Sequence, residues 1–224
     1  MSLSHLPFSL CFPCNRRHLP FTVLASTPQL IVSVPHELLW ALIGLLLTIG
    51  GTFVEAFVTN PPWDWSGHGI HTISLGVTYQ IGAVLLTACL GGKNAGALAQ
   101  IAYIVIGLNL PVFTQGGGIS YLKEPSFGYL LGFIAGAWIC GFLAFRLPAR
   151  IESLAFSCTC GLLTIHLYGF GYLVIFHIFN LTASPALSLM QAIMKYSIYP
   201  LPGQLVVVCA VTVLAFALRQ LMFY

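Results

Sequence analysis

A chain of 224 residues that is 58% hydrophobic and 6% charged lies far from the roughly 25% charge of an average soluble domain. It cannot clothe a core of its own size in a water-facing surface, so lipid must be part of its solvent. A formal charge of +3, scattered along the chain, does not point to nucleic acid and matters mainly for orientation in a bilayer.

Residues 1–36 hold no acid and carry Arg16, Arg17, serines and several prolines. They lack the unbroken apolar run and cleavage pattern of a secretory signal; an organelle transit peptide or an over-extended gene start fits this leader. "CFPC" at Cys11 to Cys14, with His18, offers three ligands where a structural zinc takes four, so no metal is assigned. From Glu37 onward, apolar runs of spanning length, ~17 to 25 residues, fall at about Leu38 to Val58, Thr72 to Leu90, Ala95 to Phe113, Phe127 to Phe145, Leu154 to Phe179 and Leu205 to Met222. Turn chemistry separates them: "NPPWDWSGHG", "GGKN", "NLPVFTQGGGISYLKEPSFGYLLGF", "RLPAR" and "LTASPALSLMQAIMKYSIYPLPG". Cys89, Cys140, Cys158, Cys160 and Cys209 lie inside these runs and read as small packing residues.

Placing the N-terminus inside gathers Arg16, Arg17, Lys93, Arg146, Arg150 and Arg219 on the inner side and leaves Lys123 and Lys195 outside. The expected architecture is an all-α integral membrane bundle of six transmembrane helices, N-in and C-in, forming one domain over 37–224. Its elaborate face looks outward.

No G-x-x-x-x-G-K-[ST] occurs, so any pumping must borrow energy. "GGGIS" at 116–120 follows no strand and precedes no Lys-Ser, so its glycines suit a sharp turn or a close backbone approach. Glu55 sits near the outer end of the first run. His166 and His177 are eleven residues apart and share a helix face; a lone intramembrane histidine reads first as a hydrogen bond to a neighbouring helix. With no nucleophile-base set and no H-E-x-x-H, the chain does not read as an enzyme, and a membrane enzyme using Glu55 and the histidines stands only as the lesser alternative. Small residues recur in "ALIGLLLTIGG" and "GYLLGFIAGAWICG". They allow close helix approach, either within the bundle or onto another membrane protein.

The run "GGKNAGALAQIAYIVIGLNLPVFTQGGGISYLKEPSFGYLLGFIAGAWICGFL" resembles the signature region of the BioY family, the biotin-binding S components of energy-coupling factor (ECF) transporters. The shared features are Tyr103 and Gly107, then Pro111-Val112-Phe113, a Gly-rich loop, Pro125, Gly128-Tyr129 and Gly132-Phe133. The resemblance implies a subunit of the plasma membrane, or of an organelle envelope if the leader is a transit peptide. It would capture biotin from outside without a cofactor, working with an ECF transmembrane coupling protein and two ATPases. Ahead of the last helix the family typically carries an Asp for the ureido ring and, three residues on, a Lys for the valerate carboxylate. Here "LPGQLVV" has Gln204 and Val207. Gln204 still offers hydrogen bonds to a cyclic urea; Val207 offers nothing to a carboxylate, so an uncharged derivative or another small vitamin is the alternative ligand. The expected ring site is Gln204 with Gln115, Thr114, Gly116 and Gly117, walled by Tyr103, Phe113, Tyr121 and Tyr129. Lys195, then Lys123, is expected to meet the carboxylate. Partner docking is expected on Ala41, Gly44, Thr48 and Gly51, whose spacing of three or four forms one helix face.

Overall fold

The computed structural model describes residues 34–114, 116–179 and 188–223. Helix α1, Val34–Phe53, turns a stripe of Trp40, Ala41, Gly44, Thr48 and Thr52 inward. Leu39, Leu42 and Leu46 face outward, where hydrocarbon is their natural solvent.

Strands follow where the sequence pattern suggested helix. Strand β1, Glu55–Thr59, pairs antiparallel with β2, Thr72–Thr78, setting Val58 opposite Ile73 and Thr59 opposite Thr72. The expected first and second spans are therefore shorter at these ends. "EAFVT" and "TISLGVT" are rich in β-branched and aromatic side chains that suit a pleated ribbon, a preference hidden by their apolarity. The connection holds a short 3-10 turn and helix α2, Trp65–His68. Asn60 closes it, donating through its side-chain amide to the Gly69 carbonyl at 3.0 Å and accepting from the His71 amide at 2.9 Å. A two-stranded ribbon leaves its outer backbone groups for water, so it belongs at an end of the bundle.

Helix α3, Gln80–Asn109, is interrupted at Gly92, whose φ of 83° is left-handed and favours glycine. The two arms, 80–91 and 93–109, fold back on one another. A Cβ on Gly96 would lie 3.1 Å from the Ala88 Cα, and the Gln80 side chain donates to the Tyr103 hydroxyl at 3.0 Å. A straight helix would separate that last pair by roughly 34 Å at 1.5 Å per residue.

Helices α4, Phe127–Arg146, and α5, Ile151–Ile178, pack through small residues. A Cβ on Gly136 would come within 2.8 Å of the Gly161 carbonyl oxygen. The expected loop before the last helix is partly helical. Helix α6, Leu189–Ile193, opens with a reciprocal cap between Ser188 and Gln191, and a π-helical turn, Met194–Ile198, leads into α7, Leu201–Phe223. Pro202 sits in the first turn of α7, where a missing N–H removes no helix bond.

Among the described residues, five segments are long and apolar enough to cross a membrane: Val34–Phe53, Gln80–Asn109, Phe127–Arg146, Ile151–Ile178 and Leu189–Met222. Six were expected; the second and third expected runs share one helix folded at Gly92. The core around Val84, Leu85, Leu154 and Ile165 includes Cys89, Cys140 and Cys158 with no exposure.

Candidate functional site

Gln204 projects from the first turns of α7, a position set by the Pro200 carbonyl, which accepts from the Gln204 amide at 3.0 Å. Its side-chain oxygen meets His166 Nε2 of α5 at 2.7 Å. Both residues retain only 8% exposure. With the amide oxygen accepting, a neutral imidazole carries its proton on Nε2 and presents Nδ1 as an acceptor. That Nδ1 is buried and has no partner among the described residues.

Tyr129 of α4 sets its ring edge-on to His166, 5.8 Å between centroids. Gly169 leaves the space for that ring. The Tyr129 hydroxyl hydrogen-bonds the Ser197 hydroxyl, and its ring lies 6.3 Å from that of Tyr196. Lys195 is exposed, its Nζ 5.3 Å from the Tyr196 ring centre. Gln204, His166, Tyr129, Tyr196 and Lys195 thus form a string of contacts running from a buried polar pair to a surface cation. Of the residues expected from sequence, it joins Gln204, Tyr129 and Lys195. Tyr196 and Ser197 were missed because the π-helical turn that presents them has no clear sequence signature. His166 had been read as a helix-to-helix hydrogen bond, and that bond goes to Gln204.

The Gly-rich loop is built differently. Phe113 and Gly116 exchange both backbone hydrogen bonds, at 2.8 and 3.0 Å, and the Gly118 amide donates to the Gly107 carbonyl at 2.9 Å. Gly117 lies so close to the Leu110 carbonyl that a Cβ would collide with it, and Gly107 makes room for the Phe113 ring. Tyr103, Phe113, Tyr121 and Phe127 form a continuous string of ring contacts. The Tyr103 hydroxyl already meets Thr52, Gln80 and the Val112 carbonyl, so this residue braces the loop. The Tyr121 hydroxyl accepts from Ser126 at 3.0 Å. Burial pushes its phenol above the ordinary range although that hydrogen bond lowers it. Thr114 and Lys123 are exposed, and Gln115 lies outside the described residues.

A profile of the BioY family matches residues 31–223. The chain belongs to the BioY family. An uncharacterised 21.2 kDa protein of Cyanophora paradoxa is 28% identical over 187 residues, covering 83% of this chain and 95% of its own. A probable biotin transporter BioY of Lysinibacillus sphaericus is 49% identical over 73 residues, 32% of this chain and 37% of its own. The biotin transporter BioY of Thermotoga maritima is 45% identical over 69 residues, 30% and 41% respectively. The matches thus span well under half of either named transporter. A crystal structure of the biotin S component of an ECF-type ABC transporter shares the fold, with a TM-score of 0.59 at 18% identity over 84% of this chain and 92% of that one.

Val207, where the resemblance led a lysine to be expected, retains 2% exposure and packs against Gly82. It fills the core. The small-residue face of α1 is also occupied from within: Gly44 abuts the Thr87 side chain, Gly51 abuts the Tyr79 backbone, Ala41 is buried and Thr48 accepts from Gln100 at 3.1 Å. Gly44, Thr48 and Gly51 thus pack α1 against α3 and against Tyr79 just ahead of it, the within-bundle role that small residues also allow. Glu55 is exposed on β1, accepting from Ser74, and His177 is exposed near the end of α5.

Proposed function

We propose that this chain is the substrate-capture component of a vitamin uptake transporter and that it binds biotin through the Gln204–His166 pair. The observation that carries the reading is the buried Nδ1 of His166, without a partner among the described residues, beside a glutamine amide. A cyclic urea has two N–H donors and one carbonyl acceptor. Nδ1 suits one donor, the Gln204 N–H groups suit the carbonyl, and Tyr129 supplies an aromatic wall. An unmet polar atom in a dry site costs about 1–3 kcal/mol, which a ligand making that bond recovers.

In this reading the arms of α3 count as two crossings, giving six in all with both chain ends inside. Its support is that Lys93, Arg146 and Arg219 gather around Phe142 and Phe145, as the positive-inside rule asks of one bundle end. A transmembrane coupling protein and two ATPases supply the energy, and the ligand enters from the opposite side. The membrane is a plasma membrane, or an organelle envelope if residues 1–36 are a transit peptide.

Equilibrium binding of labelled biotin to the purified chain, with desthiobiotin and biotin amide as competitors, tests this. Saturable binding displaced by both competitors is the expected result. Displacement by the amide far ahead of biotin would shift the assignment to an uncharged derivative, and no binding at all would remove biotin as the ligand.

A further inference from the structure

Three thiols meet in the core, away from the Gln204 pair. Cys89 comes from the first arm of α3, Cys140 from α4 and Cys158 from α5, and each has no exposure. The Cys89 sulfur lies 3.5 Å from that of Cys158 and 3.7 Å from that of Cys140, and all three fall within 4.8 Å of one another. Small residues could fill such a space as packing, but three different helices bring their sulfurs to one point, joined there by no His, Asp or Glu among the described residues.

We propose that Cys89, Cys140 and Cys158 form a binding site for a soft monovalent cation, Cu(I), inside the bundle. Bonds of roughly 2.3 Å to sulfur set neighbouring sulfurs roughly 3.8 Å apart in a tetrahedron and roughly 4.0 Å apart in a plane. The two separations from the Cys89 sulfur need to open by only a few tenths of an ångström. Ligand chemistry selects the ion: thiolate-only sets favour Cu(I), zinc and iron–sulfur clusters, but structural zinc takes four ligands and Cu(I) is content with three.

A positive charge also lies close to the cluster. Binding releases protons from two of the thiols, so Cu(I), two thiolates and one neutral thiol carry a net charge of −1. Arg219 of α7, buried at 6% exposure, donates to the Cys89 carbonyl at 2.9 and 2.6 Å and to the Ala144 carbonyl at 2.8 Å. Held at the Cys89 carbonyl, its guanidinium places a positive charge beside the cluster. The thiols lie within about two helical turns of the bundle end that carries Lys93 and Arg146, a short route for an ion delivered from that side. No electron transfer is involved, because the metal arrives reduced.

The test uses the full chain with Cys11, Cys14, Cys160 and Cys209 replaced by serine, leaving the three clustered thiols. Purified in detergent without oxygen, it is titrated with Cu(I) against bicinchoninate. One Cu(I) per chain is expected, with a new near-ultraviolet thiolate-to-copper absorption, and Cys158→Ala should weaken retention at least a hundredfold. X-ray absorption at the copper edge of the three-thiol chain should give three sulfur neighbours. That readout does not depend on the folding of any cluster variant. Failure to retain copper, retention undiminished in Cys158→Ala, nitrogen or oxygen neighbours, or a Cys89–Cys158 disulfide in place of copper would each overturn the proposal.

Discussion

The polar centres around Tyr103 and around Gln204 differ in how completely they are closed. The first joins α1 to both arms of α3. The Tyr103 hydroxyl meets Thr52 at 3.2 Å, Gln80 at 3.0 Å and the Val112 carbonyl at 3.3 Å, while Gln100 donates to Thr48 nearby. Tyr103, Thr48 and Gln100 have no exposure. The second centre, Gln204 with His166, is bordered by the half-buried Tyr129, Tyr196 and Ser197 and by the exposed Lys195. Each centre leaves one buried atom without a described partner, Gln100 Oε1 in the first and His166 Nδ1 in the second. The second is linked through the half-buried Tyr129 and Tyr196 to the exposed Lys195. In a membrane, a sealed hydrogen-bonded knot ties helices together, whereas a buried pair within reach of the surface can exchange partners with a ligand.

The sharpest way to break this contrast is to disable the second centre alone. Gln204→Ala should weaken biotin binding at least tenfold, and His166→Phe should do the same, each also costing about 1–3 kcal/mol of stability from the buried partner left unmet. Unchanged affinity in labelled-biotin binding would remove the pair from the site. Gly44→Leu strikes the sealed side. Overpacking against Thr87 should cost on the order of 1–3 kcal/mol, lowering thermal stability and reducing ligand binding and cellular uptake together; loss of uptake with full binding would return this face to a partner. Tyr103→Phe keeps the ring and deletes one hydroxyl, so it should cost about 1 kcal/mol of stability and leave biotin affinity within about twofold by the same assay. The smallest effect belongs to the rim. Lys195 is exposed, and an ion pair there is worth at most about 1 kcal/mol. Lys195→Ala should therefore weaken biotin by no more than about fivefold and leave biotin amide unaffected, and Lys123→Ala should do less. Equal effects on acid and amide would show that the carboxylate stays in water.

The sequence by itself determined the solvent and much of the architecture. So few charges over so long a chain leave only lipid as surroundings, and apolar runs of spanning length locate most of α1, α4, α5 and α7. The run from Tyr103 through Phe133 carries the family resemblance because its glycines and aromatics are tied to a particular loop: Gly107 under the Phe113 ring, Gly117 against the Leu110 carbonyl. Gln204 was visible as a polar residue beside a Pro-Gly turn. Other features were decided only in three dimensions. The β1–β2 ribbon was hidden because β-branched apolar residues serve a strand or a membrane helix equally well in a hydropathy window. The inward turn of Ala41, Gly44 and Thr48 depends on which neighbour reaches the face first, and small residues invite any helix. His166 and Gln204 are 38 positions apart, and Cys89 and Cys158 are 69 apart. Helical periodicity places each on a face of its own helix; only the packing of α3, α4, α5 and α7 decides which faces meet, because in lipid that choice rests on close fit and satisfied hydrogen bonds, with no hydrophobic drive to make it from composition.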